Sequence, residues 1–425
     1  MSLRVRATAS WLVIPGGLST SSTPLAVVLG AVLGAALGAV LGAVLGAVLG
    51  AALTHPIVPA SPCAPRRARQ LVRAAQNRIE RMRIGIIGAG AIGGSLGALL
   101  ARGGHEVQFA ARGEHLAAIR ERGLRLSGAF GEFTARVEAA ETLAPGAELI
   151  VVATKAQDAR AAIREHRAAI DGQRLLIVQN GLDGIAIGTE EAPECEIVGG
   201  LAVYASSYLK AGEIAVTTGG SLYVGGAVGA DVAAREIAAL FGAVLPTVYS
   251  SNFVGAQWTK LILNQVNALP AITGLSVQET IADERLRLIL TASMREAVRV
   301  AAARGIRFAP LQGLNDPLLR GFARLPLWAG QAMPKLMSAR IGTVPNPGST
   351  LQSIRRGQLT EIDFLNGAVV RAAQAIGAAP VNAALVHAAP VNAAPVNAAL
   401  VKLVHEVERT GVFLSASEVA QRITV

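Results

Sequence analysis

The apolar run RIGII, residues 83–87, leads directly into Gly88, Ala89, Gly90, Ala91, Ile92 and Gly93, and an apolar helical stretch follows. This puts GxGxxG in the strand, turn and helix context that the motif requires. The first glycine allows a tight turn, the second lets a pyrophosphate approach the backbone, and the third lets helix and strand pack closely, with phosphate at the helix N-terminus. A bare GxGxxG could be a glycine-rich structural turn; in this context it predicts dinucleotide binding.

An NAD site would carry Asp or Glu at the end of the second strand to bind the ribose 2′-hydroxyl. Here the run EVQFA (106–110) is followed by Ala111 and Arg112. A guanidinium after a neutral strand end suits a 2′-phosphate, which favours NADPH. The alternative for Arg112 is a solvated loop arginine.

Two further apolar runs, ELIVVAT (148–154) and RLLIVQ (174–179), continue the series, with helical stretches such as 92–102 and 156–169 between the runs. The alternation predicts an α/β fold, a parallel sheet with crossover helices. IVGGLAVYAS, GEIAVTTG and SLYVGG read as further, antiparallel strands up to about residue 250, and helical periodicity dominates from Asn252 onward. The expected organisation is a Rossmann-type dinucleotide-binding domain over 82–250, followed by a mostly α-helical substrate and catalytic domain over 251–425. Lys155 follows one strand end and Asn180 another. Ligands of open parallel sheets lie beyond the carboxyl ends of the strands, so both residues point at the cofactor cleft. Either alone could be turn chemistry, Asn180-Gly181 especially.

In the helical half, TKLILNQVN sets Lys260 and Asn264 four residues apart, on one face of an otherwise apolar helix. A lysine aimed into a cleft can protonate a developing alkoxide, whereas a snorkelling surface lysine is the plain alternative. Further on, STLQSIRRGQLTEIDFLN spans Ser349 to Asn366, and Thr360 with Asp363 reads as a capping box. Glu361 then falls in the first turn of a helix, where it could simply complement the helix dipole.

The two ends of the chain are repetitive. Every residue from 25 to 53 is apolar or glycine, long enough to cross a bilayer as a helix, with glycines at every fourth position from 30 to 50. A period this regular also arises from slippage in a repetitive gene or from translation upstream of the true start. Residues 1–81 are therefore expected to be a dispensable or mis-assigned extension, with membrane insertion the alternative. That segment holds eight arginines and one acid, a charge of +7 out of the formal +10. The rest carries only +3, which removes the main support for nucleic-acid binding. Near the other end APVNA begins at 379, 389 and 394, which reads as a tandem duplication of residues 379–393 in a loop before the last helix. Cys63 and Cys195 form no CxxC and the six histidines show no ligand spacing, so no metal is expected and a reducing cytoplasm fits.

The chain from Met82 onward resembles the ketopantoate reductase (2-dehydropantoate 2-reductase) family. The resemblance rests on MRIGIIGAGAIGG, ARG after the second strand, TKAQ, QNG, WTKLILN, STLQSIRRGQLTEIDFLNG and PVNAALVKLVHEVE, in that order. It implies NADPH-dependent reduction of a 2-oxo acid, 2-dehydropantoate to pantoate, in pantothenate and coenzyme A biosynthesis. Carried over by motif, Lys260 would be the general acid, Asn264 and Ser349 substrate ligands, and Glu361 the acidic residue at the reacting centre. Asn180 would serve cofactor and substrate; Lys155, Arg112 and Ala205 would contact NADPH. Where family members often carry a second asparagine one turn beyond the first, this chain has Ala268, with Asn267 one residue early. That leaves open a same-fold reductase of another branched 2-oxo acid. A membrane-tethered, non-catalytic NADPH-binding sensor is the alternative of a different class, and a homodimer stays open as an assembly.

Overall fold

In the computed structural model, residues 81–425 are described apart from 228, 343 and 379–393. The glycine-rich run at 25–53 and the duplicated segment 379–393 therefore lie outside the described residues. The strands in chain order are β1 (Arg83–Ile87), β2 (Glu106–Ala110), β3 (Leu124–Gly128), β4 (Phe133–Ala135), β5 (Glu138–Ala140), β6 (Leu149–Val152), β7 (Arg174–Val178), β8 (Glu196–Lys210), β9 (Glu213–Gly226) and β10 (Thr247–Tyr249). They form one ten-stranded sheet in the order β4-β3-β9-β8-β7-β6-β1-β2-β5, with β10 paired to β9.

From β8 through β7, β6, β1 and β2 to β5 the pairing is parallel. Strands in such a sheet are covered on both faces, which is why β6 is LIVV, every residue buried. Helix α1 (Ala91–Arg102) covers one face, with Leu96 and Leu99 packed on Ile84, Ile86 and Phe109. Helix α2 (Gly113–Arg122) follows β2. Helix α3 (Ala159–Glu165) covers the opposite face, with Ile163 among Ile87, Ile150 and Val152. Each such Leu or Ile contributes about 1.5–3 kcal/mol by leaving water.

Away from this centre the sheet is mixed. The segments GEIAVTTG and SLYVGG are one strand, β9, in a long antiparallel hairpin with β8. β9 also pairs in parallel with β3, and β3 turns back antiparallel onto β4. Strands β3, β4, β5 and β10 are additions to the sequence reading.

Helices take over at Asn252, whose side chain accepts the Gly255 amide and caps α4 (Phe253–Asn264). The long helix α5 (Glu284–Ala303) is capped by the Asp283 carboxylate and buries Leu286, Ile289, Leu290, Met294, Ala297 and Ala301, a three-and-four spacing that gives it one apolar face. α6 (Gly348–Arg355) packs on the short helix Ala268–Thr273, while α7 (Asn366–Ala378) and α8 (Pro395–Thr410) pack against α5.

A fully buried polar cluster joins these helices. Asn366 Nδ2 donates to Gln265 Oε1 at 2.7 Å and to Asn397 Oδ1 at 2.9 Å, and Ser293 Oγ donates to Gln265 Oε1 at 2.9 Å. Asn397 Nδ2 donates in turn to Glu296 Oε2 at 2.8 Å. Asn397 belongs to the third APVNA copy.

Candidate active site

The glycine turn sits between the carboxyl ends of β1 and β6, where the chain order of the sheet reverses direction. Open α/β sheets form a crevice at such a switch point. Gly88 has φ +96°, and a Cβ there would lie 2.8 Å from the Thr154 amide nitrogen. A Cβ on Gly93 would stand 2.0 Å from the Gly88 carbonyl oxygen, so only glycine lets α1 approach β1 this closely. Above Gly90 no heavy atom lies within 4 Å of a built Cβ. The motif thus has all three of its features: the turn, the open approach and the close packing. No side chain caps the N-terminus of α1. Nearby, Thr154 Oγ1 and Gln179 Oε1 are shielded from solvent without a partner, which further suits a polar ligand over these strand ends. The cradle fits the pyrophosphate of a dinucleotide.

The hairpin reaches the same cradle. Ser206 Oγ donates to the Ala91 carbonyl at 2.9 Å, and the β8–β9 ladder shifts register on both sides of Ala205. Such irregularities release a backbone from its ladder and re-aim it. Arg112 stands at the N-cap of α2, exposed, with its guanidinium on both carboxylate oxygens of Glu165 at the end of α3. No acidic residue stands at the end of β2. Lys155 crosses to the helical half: its ammonium donates to the Leu359 carbonyl at 2.8 Å, with Ser353 Oγ at 3.3 Å and Gln358 Oε1 at 3.4 Å. Burial lowers its pKa, against the opposing charge of Glu361.

Lys260 and Asn264 share one face of α4, whose other faces bury Trp258, Leu261 and Ile262. Asn264 Nδ2 lies 3.5 Å from Asn180 Oδ1, and Asn180 Nδ2 donates to Glu361 Oε2 at 3.2 Å. The other Glu361 oxygen accepts the Ala156 amide at 3.1 Å. Burial brings the Lys260 pKa down to about 8, while the charge of Glu361 raises it. Asn180, Lys260, Asn264 and Glu361, from three stretches of chain, thus meet in one partly buried cluster.

The capping box expected at Thr360 and Asp363 does not form. Thr360 Oγ1 accepts the Ile362 amide at 3.3 Å, and Asp363 faces His405 instead, with Nε2 at 3.0 Å. Glu361 precedes a short 3₁₀ turn (Ile362–Phe364), and its carboxylate is free to cross the cleft rather than complement a helix dipole. Ser349 lies exposed in the first turn of α6. Its backbone amide donates to Asn267 Oδ1 at 3.2 Å, and its hydroxyl does not join the Asn264–Asn180–Glu361 chain. Asn267 was not read as a site residue, yet it anchors Ser349 and also donates to the Asn264 carbonyl at 3.2 Å. Ala268 is fully buried in the helical core. The spacing of Asn264 and Asn267 was the available signal.

Residues 84–229 match the family Ketopantoate reductase PanE/ApbA, and residues 252–408 match Ketopantoate reductase PanE/ApbA C terminal. The 2-dehydropantoate 2-reductase of Pyrococcus abyssi is 31% identical over 304 residues, 69% of this chain and 92% of that protein. The chain belongs to the ketopantoate reductase family. It is an oxidoreductase, as that family is. Among solved structures, the PanE/ApbA family ketopantoate reductase from Ralstonia eutropha JMP134 is 29% identical with TM-score 0.62, over 77% of this chain and 99% of that one. D-mandelate dehydrogenase with NADH and anilino(oxo)acetate shares the fold at 22% identity and TM-score 0.63, over 77% of this chain and 99% of that one. Among the described residues no helix is long and apolar enough to cross a membrane, and no group of three or more His, Cys, Asp or Glu could hold a metal ion.

Proposed function

We propose that the chain reduces 2-dehydropantoate to pantoate with NADPH, on the route to pantothenate and coenzyme A. The observation that carries this reading is the convergence of Lys260, Asn264, Asn180 and Glu361 beside the glycine cradle. When bound, the nicotinamide supplies hydride to the keto carbon. Gly88, Gly90 and Gly93 would hold its pyrophosphate, with Ala89, Ala91 and Ile92 completing the turn and the Ala205 backbone alongside. Arg112 would turn from Glu165 to the 2′-phosphate, and Lys155 would brace the cleft.

Charge develops on the keto oxygen as the reaction proceeds. A pKa brought down to about 8 makes Lys260 a stronger acid than an ordinary lysine, better suited to give its proton up near neutral pH. Its ammonium both stabilises the alkoxide and protonates it. Glu361 keeps Lys260 charged by its own negative charge, and it orients Asn180. Asn264 and Ser349 would bind the substrate's polar groups, and the fixed pose supplies orientation.

The test is oxidation of NADPH by purified protein with 2-dehydropantoate, against a panel of branched 2-oxo acids ranked by kcat/KM. A higher kcat/KM for another acid would reassign the substrate. No turnover with any 2-oxo acid would leave only the dinucleotide-binding alternative.

A further inference from the structure

His115, in the first turn of α2, touches the dinucleotide turn. Its Nε2 lies 2.8 Å from the Ala89 carbonyl oxygen, and its Nδ1 accepts the Gly212 amide at 3.0 Å. Gly212 is the φ +77° residue at the turn of the β8–β9 hairpin, and its own carbonyl accepts the Arg125 amide of β3 at 2.9 Å. The ring packs edge-on against Tyr208, with centroids 5.0 Å apart. These contacts decide the tautomer: Nδ1 faces an N–H and must be bare, so Nε2 carries the proton and donates to Ala89.

The Ala89–Gly90 peptide is trans, so its carbonyl and its N–H point in opposite directions. Holding the Ala89 carbonyl toward α2 turns the Gly90 N–H away from the ring. We propose that His115 is a positioning residue for cofactor binding, a neutral imidazole that fixes the Ala89–Gly90 peptide and ties the glycine turn to the β8–β9 hairpin, and that protonation of the ring unlocks both. The inference rests on the dinucleotide reading of the glycine turn.

Protonation would put a donor on Nδ1 facing the Gly212 N–H, and two donors cannot share that contact. The charged and titratable groups around the ring are few. Glu114 adjoins His115 on α2, Tyr208 lies on β8, and Arg356 from the helical half donates to the Tyr208 carbonyl at 2.9 Å. At the hairpin turn, Lys210 and Glu213 pair with each other at 3.1 Å, and Arg125 lies 3.5 Å from Glu213. Burial lowers the His115 pKa and the Ala89 hydrogen bond partly offsets this. The neutral form therefore holds at and above neutral pH and is lost as pH falls through the lowered value.

The experiment is calorimetric titration of the full chain with NADP+ and NAD+, both stable in mild acid, from pH 5 to 8. The variants are His115→Phe, which keeps the ring packing without hydrogen bonds, and His115→Gln, which keeps a donor at the Nε2 position and does not titrate. We expect His115→Phe to weaken NADP+ binding about tenfold at pH 7.5, the scale of one net hydrogen bond, with the loss read in KM for NADPH rather than in kcat. His115→Gln should recover most of that affinity and lack the acid weakening that the wild type shows with either dinucleotide. Use of NAD+ separates this from titration of the 2′-phosphate. Equal affinity and equal pH dependence in wild type and both variants would overturn the inference while leaving the cofactor reading intact. A wild type that binds neither dinucleotide would overturn the cofactor reading and this inference with it.

Discussion

The Glu361 carboxylate accepts the backbone amide of Ala156 at 3.1 Å, joining the helical half to the carboxyl end of the sheet. The same group raises the Lys260 pKa against the lowering by burial. Replacing Glu361 by Gln removes the charge and keeps the shape. On the proposed mechanism Lys260 acts in its acid form, so wild-type kcat should decline as pH rises through about 8. In Glu361→Gln that decline should begin at lower pH, with kcat at pH 7 reduced about tenfold or more. A pH–rate profile with an unmoved alkaline limb would separate Glu361 from the ionisation of Lys260.

Lys260→Met preserves the apolar stem and deletes the proton. We expect kcat to fall by about 10²–10⁴ while NADP+ affinity changes little. Single-turnover measurement at saturating cofactor and substrate checks this; wild-type turnover would mean another group donates the proton.

Gly90 and Gly93 should fail in different ways. A methyl on Gly93 meets the Gly88 carbonyl at 2.0 Å, so Gly93→Ala should lower Tm or abolish soluble protein. A methyl on Gly90 meets no protein atom within 4 Å, so Gly90→Ala should fold normally and bind NADP+ more weakly. Thermal melts alongside calorimetry distinguish the two.

Arg112 is held by Glu165 and is 70% exposed, and the proposed reading has it serve a 2′-phosphate. Arg112→Ala should cut kcat/KM for NADPH about tenfold or more and leave NADH nearly unchanged, while Glu165→Gln should shift the ratio toward NADPH. Equal losses with both dinucleotides would place Arg112 elsewhere on the cofactor.

Asn397 completes the buried polar cluster. Truncation to Ala leaves Asn366 Nδ2 and Glu296 short of a partner, at a cost of about 1–3 kcal/mol. Deleting residues 379–393 joins Ala378 to Ala394 and keeps this Asn397. The deletion should retain kcat/KM, whereas Asn397→Ala should show a lower urea midpoint.

Much of the sheet's centre was legible because buried parallel strands are short, almost wholly apolar, and punctuated by glycine or polar strand ends, as at β1, β6 and β7. β4 and β5 were not, since three residues such as Phe133–Ala135 carry too little pattern to separate from a loop. The merging of two segments into β9 was hidden by Gly219 and Gly220, which read as a turn but lie within the strand. Lys260 and Asn264 were visible as polar residues at helical spacing on an apolar helix. The partners of Lys155, Ser353 and Leu359, were not, because they lie about 200 residues away and only the tertiary fold joins them. The capping box failed for the opposite reason: local spacing suggested it, and a distant histidine took Asp363.

β3 finds its parallel partner only in β9, which follows it after β4, β5, β6, β7 and β8 have all been laid down. As the ribosome releases the chain, β1, β2, β6 and β7 can assemble while the edge of β3 still waits for the far end of the hairpin. An unpaired strand edge of this kind is a surface on which a nascent chain can misassociate. Slow translation or scarce chaperone should therefore lower the yield of this chain more through the late arrival of residues 213–216 than through any weakness of the finished sheet.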